Sequence, residues 1–499
     1  MTDARPNIIV IYTDDQGYGD VSALNPKAKF QTPNLDRLAR EGICFTNGHC
    51  ADSVCTPSRY GLLTGRYCWR TSRKRGVMGA EGPCLIEDGR MTIASLLRDQ
   101  GYHTGMVGKW HLGMTVPGSK GERNWSLPIT DMPLDKGFDY FFGIPASMNF
   151  GVLAWFEGRY AKVPPTLYTR KKPNDRHVDF RIMPPYEAAP QDRHDIEIAP
   201  DFDDTQCLTR FTDKAIEWLQ GRADDAKSGT PFFLYLPLTS PHYPVCPLPE
   251  FYGAGEAGGY GEFVVETDHH VGRILDFLKA AELDDNTLVI FTSDNGPESS
   301  WAWRIDEYGH DSRGSFREGK RSAYEGGHRI PFLVRWPNGI AGPGRSWDQT
   351  VGQTDLLATF AELVGAHLPD DAGEDSQSFA SVLRGSSTHS RAPLINHGES
   401  PLRYTITDGT WKLVLPGADT PAELYDLAQD PGETHNVAIE QPQIREALTT
   451  KITAIVINGR TTVGAPQPND TGYWNDLTWI DEETYSQKNS DRNMNRKAD

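Results

Sequence analysis

The 499-residue chain contains no apolar run approaching the roughly 18 residues that a membrane-crossing helix needs, which excludes a membrane span. Its longest greasy stretches, Ile8 to Tyr12 and Phe232 to Leu238, have the length of buried strands. No basic segment leads into an apolar one at the start, so no leader peptide is visible. Localisation is left open: periplasmic or secreted if a precursor carries a leader, cytoplasmic otherwise. Positive charge is in short supply, with 50 Lys and Arg against 68 Asp and Glu and a net charge of −18. That excludes nucleic-acid binding as the main role, because such proteins present a basic face. The same field would repel an anionic ligand, so any such ligand needs a locally basic site. Arg66, Arg70, Arg73, Lys74 and Arg75 form one basic cluster and Arg170, Lys171 and Lys172 another. Cysteines number only seven, with irregular spacing and no C-x-x-C pair. This is not a disulfide scaffold, and no zinc site is expected. No internal repeat is present.

What is present is an alternation of strand and helix signals. Asn7 to Tyr12, Thr104 to Gly108, Phe232 to Leu238, Thr287 to Thr292 and Pro331 to Arg335 read as strands. Pro33 to Glu41, Thr92 to Arg98, Glu262 to Ala281 and Asp355 to Val364 read as helices, the first ended by Gly42. The fold class is therefore α/β, with a large, mixed, mostly parallel sheet flanked by helices. Between Thr115 and Asp204 proline is frequent and periodicity is poor, which reads as insertions and loops around a site. Beyond Leu383 short strand signals at Arg403 to Thr407, Thr410 to Leu415 and Glu423 to Leu427 suggest a smaller antiparallel sheet. The expected organisation is a catalytic unit over 1–383, a C-terminal subdomain over 384–485, and a mobile polar tail over 486–499.

The densest chemistry lies from Asp52 to Arg66, which contains C-x-P-S-R at Cys55 to Arg59 and L-T-G-R at Leu63 to Arg66. Pro57 suits the first turn of a helix, where its missing N–H costs nothing. Cys55 then sits at a helix N-terminus, where free N–H groups and the dipole favour an anion. Taken alone, the motif also fits a buried structural cysteine. Two strand ends carry carboxylates, Asp14-Asp15 and Asp294-Asn295-Gly296. Ligands of open α/β sheets gather at such ends. Asp14, Asp15, Asp294 and Asn295 offer hard oxygen ligands suited to Ca²⁺, and less so to Mg²⁺. Asp and Asn at strand ends also fit plain turns.

These motifs together resemble the type I, formylglycine-dependent sulfatases of the alkaline phosphatase superfamily. The resemblance extends to Gly108-Lys109-Trp110-His111-Leu112-Gly113, Ser240-Pro241-His242, Gly319-Lys320-Arg321 with Tyr324 to Gly327, and Gly409 to Leu413. It covers most of the chain, and no core position departs from it. It implies that a maturation enzyme oxidises Cys55 to formylglycine, whose hydrated aldehyde attacks the sulfur of a sulfate ester. It implies a divalent cation held by Asp14, Asp15, Asp294 and Asn295 beside position 55. By the same resemblance, Asp294 is the base for the attack. Arg59 and Lys109 stabilise charge, His242 or Lys320 protonates the leaving alcohol, and His111 triggers release of sulfate. Ser147 aligns with a serine near the sulfate. Trp301, Trp303, Tyr308, His310 and Arg313 follow the Asp294 motif in a stretch expected to loop over the site. Tryptophans stacking on sugar rings, with His310 and Arg313 binding substrate, hint at a sulfated carbohydrate. The expected activity is sulfate monoester hydrolysis, aryl sulfates included. Phosphonate monoester or phosphodiester hydrolysis and non-catalytic binding of sulfated glycans are the alternatives. Exo or endo action, oligomeric state and disulfide pairing stay open.

Overall fold

The strands form where the β-branched and aromatic runs lie. Asn7–Asp14, Phe232–Pro241 and Thr287–Ser293 are buried along their whole length, as a parallel sheet covered on both faces requires. The computed structural model describes residues 5–495. Ten strands form one sheet, in the spatial order Arg345–Trp347, Ile43–Phe45, Phe332–Arg335, Thr287–Ser293, Asn7–Asp14, Phe232–Pro241, His103–Lys109, Tyr140–Ile144, Phe156–Glu157, Tyr160–Ala161. The five strands from Thr287–Ser293 to Tyr140–Ile144 run parallel. Antiparallel pairs flank them on either side. Parallel direction puts five carboxyl ends on one edge, and the register aligns them. Thr13 lies opposite Ser293, Asp14 opposite Pro241, and Lys109 opposite Ile144.

Helices Pro33–Glu41, Cys207–Gln220 and Gly258–Ala280 pack together as one group. Cys55–Thr64, Ile93–Asp99 and Leu356–Val364 form a second. The long helix begins at Gly258 rather than at Glu262, where its apolar pattern starts. Trp301–Tyr308 is a helix and not the loop expected there. Gly108 is required by close packing: its φ is 137°, and a Cβ there would sit 1.9 Å from the Pro237 carbonyl oxygen. That contact brings the neighbouring strand flush against Lys109.

A four-stranded antiparallel sheet, Leu394–Glu399, Leu402–Asp408, Trp411–Val414 and Glu423–Asp426, lies towards the C-terminus. With helix Pro442–Asn458 it builds a separate core around Tyr404, Ile406, Leu424 and Ile452. Tyr67 and Trp69, from the segment just after the Cys55 helix, are part of that core. Helix Glu482–Asn495 occupies most of the stretch read as a mobile tail. Its acidic first turn suits the helix dipole, and it packs against Pro442–Asn458 through the buried Tyr485. Residues 496–499 of that stretch lie outside the described residues. Among the described residues no helix is long and apolar enough to cross a membrane.

The first basic cluster divides by burial. Arg70 is fully buried, and its Nε and Nη2 each donate to the Asp375 carboxylate at 2.8 Å. Arg66 is buried against Glu374 at 3.2 Å and Asp470 at 2.8 Å. These two arginines clamp sequence-distant segments together. Arg75 is 65% exposed in its side chain.

Burial pushes the Asp375 carboxyl up, but Arg70 outweighs it, and the group sits below its ordinary value of 3.8. A lowered folded value means that the pair stabilises above about pH 3.8 and that this stabilisation is lost as pH falls further. Arg70→Ala leaves the buried Asp375 carboxylate without its counter-charge and is expected to cost about 3 kcal/mol, against under about 0.5 kcal/mol for Arg75→Ala. Denaturant midpoints at neutral pH check both. A normal midpoint for Arg70→Ala would contradict the clamp.

Candidate active site

Five segments that are remote in sequence converge at the shared strand edge. Asp14 ends its strand, and Asp15 follows with φ +64°. Lys109 ends another strand, and His111 follows with φ +61°. Positive φ in a residue other than glycine is strained backbone, which is held only where surrounding structure enforces it. Asp294 and Asn295 follow Ser293, and His242 follows Pro241. Cys55 opens helix Cys55–Thr64, with Val54 extended before it, so the side chain sits at the helix N-terminus. Its Sγ lies 3.5 Å from Asp14 Oδ1.

The charges interlock. Lys109 Nζ is 2.5 Å from Asp14 Oδ2, and Arg59 Nη2 donates to Asp294 Oδ2 at 2.7 Å. Lys320 Nζ meets Asp15 Oδ1 at 2.6 Å and Oδ2 at 2.9 Å. Burial pushes Asp14 up, but Lys109, Arg59 and Lys320 outweigh it and hold it below the usual carboxylate value. Asp15 and Asp294 are raised, mainly by burial, with Asp14 adding to both. Burial likewise drives the Cys55 thiol far up, with Asp294 adding, so an unmodified cysteine here stays protonated and is a poor nucleophile.

The two histidines differ in what they leave free. His111 Nε2 faces the Met78 carbonyl at 2.9 Å, so it carries the proton and Nδ1 keeps its lone pair. That Nδ1 is buried without a hydrogen-bond partner. Burial first, then Lys109 and Arg59, push His111 well below the ordinary imidazole value. His242 Nδ1 donates to the Tyr243 carbonyl at 2.6 Å, and its Nε2 lies 3.8 Å from Asp15 Oδ2. Burial pushes His242 down to about 3.

The donor set fits a hard divalent cation. Ligand atoms of Asp14, Asp15, Cys55 and His242 all lie within 4.8 Å of one another. Asn295 Nδ2 donates to Asp15 Oδ1 at 2.7 Å, while its Oδ1 is buried without any partner. Carboxylates with an orphaned amide oxygen are the donors that calcium or magnesium takes.

Arg59, Lys109, His111, His242, Lys320, Asp14, Asp15, Asp294 and Asn295 thus gather around Cys55. Ser147 is buried in the loop after strand Tyr140–Ile144, with its hydroxyl unpartnered. His310 and Arg313 are not at the site. His310 is fully buried, with Nε2 2.8 Å from Asp20 Oδ1 and its ring packed on Phe30. Arg313 pairs with Asp311 at 2.9 Å and stacks on Trp301 at 3.5 Å. Both serve local packing, and neither lines the cleft. Glu298 was not anticipated. It binds Arg321 through both oxygens at 2.6 and 2.9 Å and lies 3.8 Å from Lys320. Its place four residues beyond Asp294 was the only available signal.

A cleft of about 530 Å³ opens beside Asp15 and His242, bordered by Tyr243, Glu298 and Arg321.

The family model described as "Sulfatase" matches residues 6–366, and that of the N-sulphoglucosamine sulphohydrolase C-terminal region matches 314–458. The chain belongs to the sulfatase family, within the alkaline phosphatase superfamily, and is a sulfuric ester hydrolase. The N-acetylgalactosamine-6-O-sulfatase of Bacteroides thetaiotaomicron is 33% identical over 90% of this chain and 93% of that protein. A solved structure from the glycosaminoglycan-metabolism locus of the same organism has TM-score 0.78 and 32% identity, covering 91% of this chain and 99% of that one. The phosphonate monoester hydrolase of Agrobacterium radiobacter shares the fold at TM-score 0.59 and 19% identity, covering 91% and 96%.

His310→Ala is expected to lower stability by about 2 kcal/mol, through the lost bond to buried Asp20, while activity per folded molecule stays within about twofold. Denaturation and turnover on an aryl sulfate check the two halves. A selective rise in KM would return His310 to the substrate site.

Proposed function

We propose that this protein hydrolyses sulfate monoesters of carbohydrates, with position 55 matured to formylglycine and a divalent cation, calcium before magnesium, held by Asp14, Asp15, Asp294 and Asn295. The observation that carries the reading is the burial of Cys55 at a helix N-terminus among three cations and three carboxylates. As a thiol that position is chemically idle, because burial holds it protonated. The aldehyde would supply an oxygen nucleophile, and the cation would neutralise the oxygens of the ester. The carbohydrate half of the reading draws on the name of the Bacteroides relative and on the size and the mixed polar and aromatic walls of the cleft.

The chain's own side chains divide the remaining work. Arg59 pairs with Asp294 and Lys109 with Asp14, and the two offer fixed positive charge where negative charge develops on the sulfate. Arg59 is further braced over the Tyr12 ring at 5.2 Å and by the Lys109 carbonyl at 3.2 Å. Asp294, raised by burial, can accept a proton from the attacking hydroxyl. His111 is neutral with Nδ1 unengaged, the state a base needs to draw a proton before sulfate departs. Lys320 is held well above its ordinary value, with the carboxylates of Asp15, Glu298 and Asp14 outweighing its burial, so it keeps its proton and can donate to the leaving oxygen. His242 would first have to take up a proton at Nε2. Ser147 stands as a further contact for the sulfate oxygens through its free hydroxyl.

The mass of the peptide carrying position 55, from cells with the maturation enzyme, is expected to show the aldehyde. Protein carrying it should release sulfate from aryl and sugar sulfates, and Cys55→Ala should lose at least about 10³-fold. Chelation should abolish activity and lower the melting temperature, and calcium should restore both. Full activity in Cys55→Ala would refute the reading. Preferred turnover of phosphonate or phosphate esters would favour the alternative.

A further inference from the structure

The cleft beside the reacting centre is far larger than a sulfate, and its volume of about 530 Å³ suits one small-molecule unit. Asp15 and His242 form part of its lining. Lys171, His177, Val178, Asp179 and Phe180 supply another part, from the proline-rich stretch that carries no motif.

Hydrogen bonds tie this wall to the body of the protein. Strands Lys172–Pro173 and Phe180–Arg181 pair antiparallel. Asp204 holds the Arg181 guanidinium at 2.6 and 2.9 Å and the Ile182 N–H at 2.7 Å. Asp179 Oδ2 accepts from the Val245 N–H at 2.7 Å, and Arg176 Nε donates to Glu262 at 3.0 Å.

His177 is its anomaly. The ring is only 9% exposed, meets Trp303 edge-on at 5.3 Å and lies 6.1 Å from Tyr260. Neither ring nitrogen has a hydrogen-bond partner. Leaving buried polar groups unpaired is costly, so such a group calls for an explanation. Burial, with Arg304 adding, pushes the imidazole down to about 3. It is therefore neutral in use, one nitrogen donating and the other accepting. Such a group is of little use to sulfate and well matched to hydroxyl or amide groups. Phe180 and Tyr243, edge-to-face at 5.5 Å, add aromatic surface beside it.

We propose that the pocket walled by residues 171–181 seats the pyranose ring that bears the sulfate, and that His177 is a specificity-determining residue exchanging hydrogen bonds with its neutral hydroxyl or acetamido groups. The proposal rests on the sulfatase reading for the reaction, but not for the occupant of the pocket.

The test compares wild type, His177→Ala and His177→Gln in matured protein. For N-acetylgalactosamine 6-sulfate, kcat/KM should fall about tenfold or more in His177→Ala, as for one lost hydrogen bond and its unpaired partner. For 4-nitrophenyl sulfate it should stay within about twofold. His177→Gln, which keeps a donor and an acceptor, should recover part of the loss. An NMR titration with unsulfated N-acetylgalactosamine should show the same weakening of binding. Equal losses on both esters, or an unchanged sugar sulfate reaction, would overturn the proposal. If wild type cleaves no sulfate ester, the reaction reading fails. The titration still decides the pocket, since sugar binding indifferent to His177 refutes it. Should His177→Ala not fold, the kinetics and titration of His177→Gln against wild type carry the decision.

Discussion

The structure is organised around one electrostatic constraint: three carboxylates, Asp14, Asp15 and Asp294, are buried at a single sheet edge and must be compensated there. Each lies 2% exposed or less, as do Arg59 and Lys109, while Lys320 is 4% exposed in its side chain. Desolvating so many charges is expensive, and buried ion pairs are often no more stable than apolar groups of similar volume. Their presence is a matter of function. Three negative and three positive charges cancel. The proposed divalent cation then leaves an excess of positive charge for an anionic ester. This resolves the conflict posed by the acidic composition. A chain of net charge −18 can attract a sulfate ester because its positive charge is concentrated where the ester reacts.

The central sheet supplies the geometry that this constraint needs. Parallel strands place all their carboxyl ends on one side, so motifs far apart in sequence meet without any long-range signal between them. That is why the strand-end carboxylates were legible in the sequence, whereas Lys109, His111, His242 and Lys320 were singled out only through the family resemblance. Buried runs ending in Asp14-Asp15 or Ser293-Asp294-Asn295 identify themselves by local pattern, and Pro57 marks the helix that Cys55 opens. What depends on distant partners was not legible. Arg66 and Arg70 look like a surface patch until Glu374, Asp375 and Asp470 are seen beside them. His310 looks available until its bond to Asp20 is seen. Residues 171–181 carry no periodicity or motif, because a loop wall is specified by its ties to Asp204, Val245 and Glu262 and not by its own pattern.

The smaller C-terminal sheet bears on the site as well. Arg321 has φ +74°, and its N–H donates to the Ser53 carbonyl at 2.9 Å. Its own carbonyl accepts from the Glu399 N–H at 2.7 Å. Ser53 in turn donates its hydroxyl to the His397 carbonyl at 2.7 Å. The Cys55 loop, the Lys320 loop and strand Leu394–Glu399 are thus stitched together by backbone. Below them Lys412 reaches Glu325 at 2.9 Å and Glu433 at 2.8 Å, with all three side chains fully buried. Strain at Arg321 persists because both neighbours enforce it.

This division of labour separates chemistry from recognition. Groups that must be held to fractions of an ångström stand on strand ends and a helix start, where packing fixes them. Part of the cleft wall, Lys171 and His177 to Phe180, stands instead on the insertions between Thr115 and Asp204, which can change without disturbing the sheet. A family built this way can keep one reaction and alter its alcohol by rewriting a loop wall. The buried, unpartnered His177 sits in such a wall, where an imidazole with no protein partner costs stability that the fold alone does not recover.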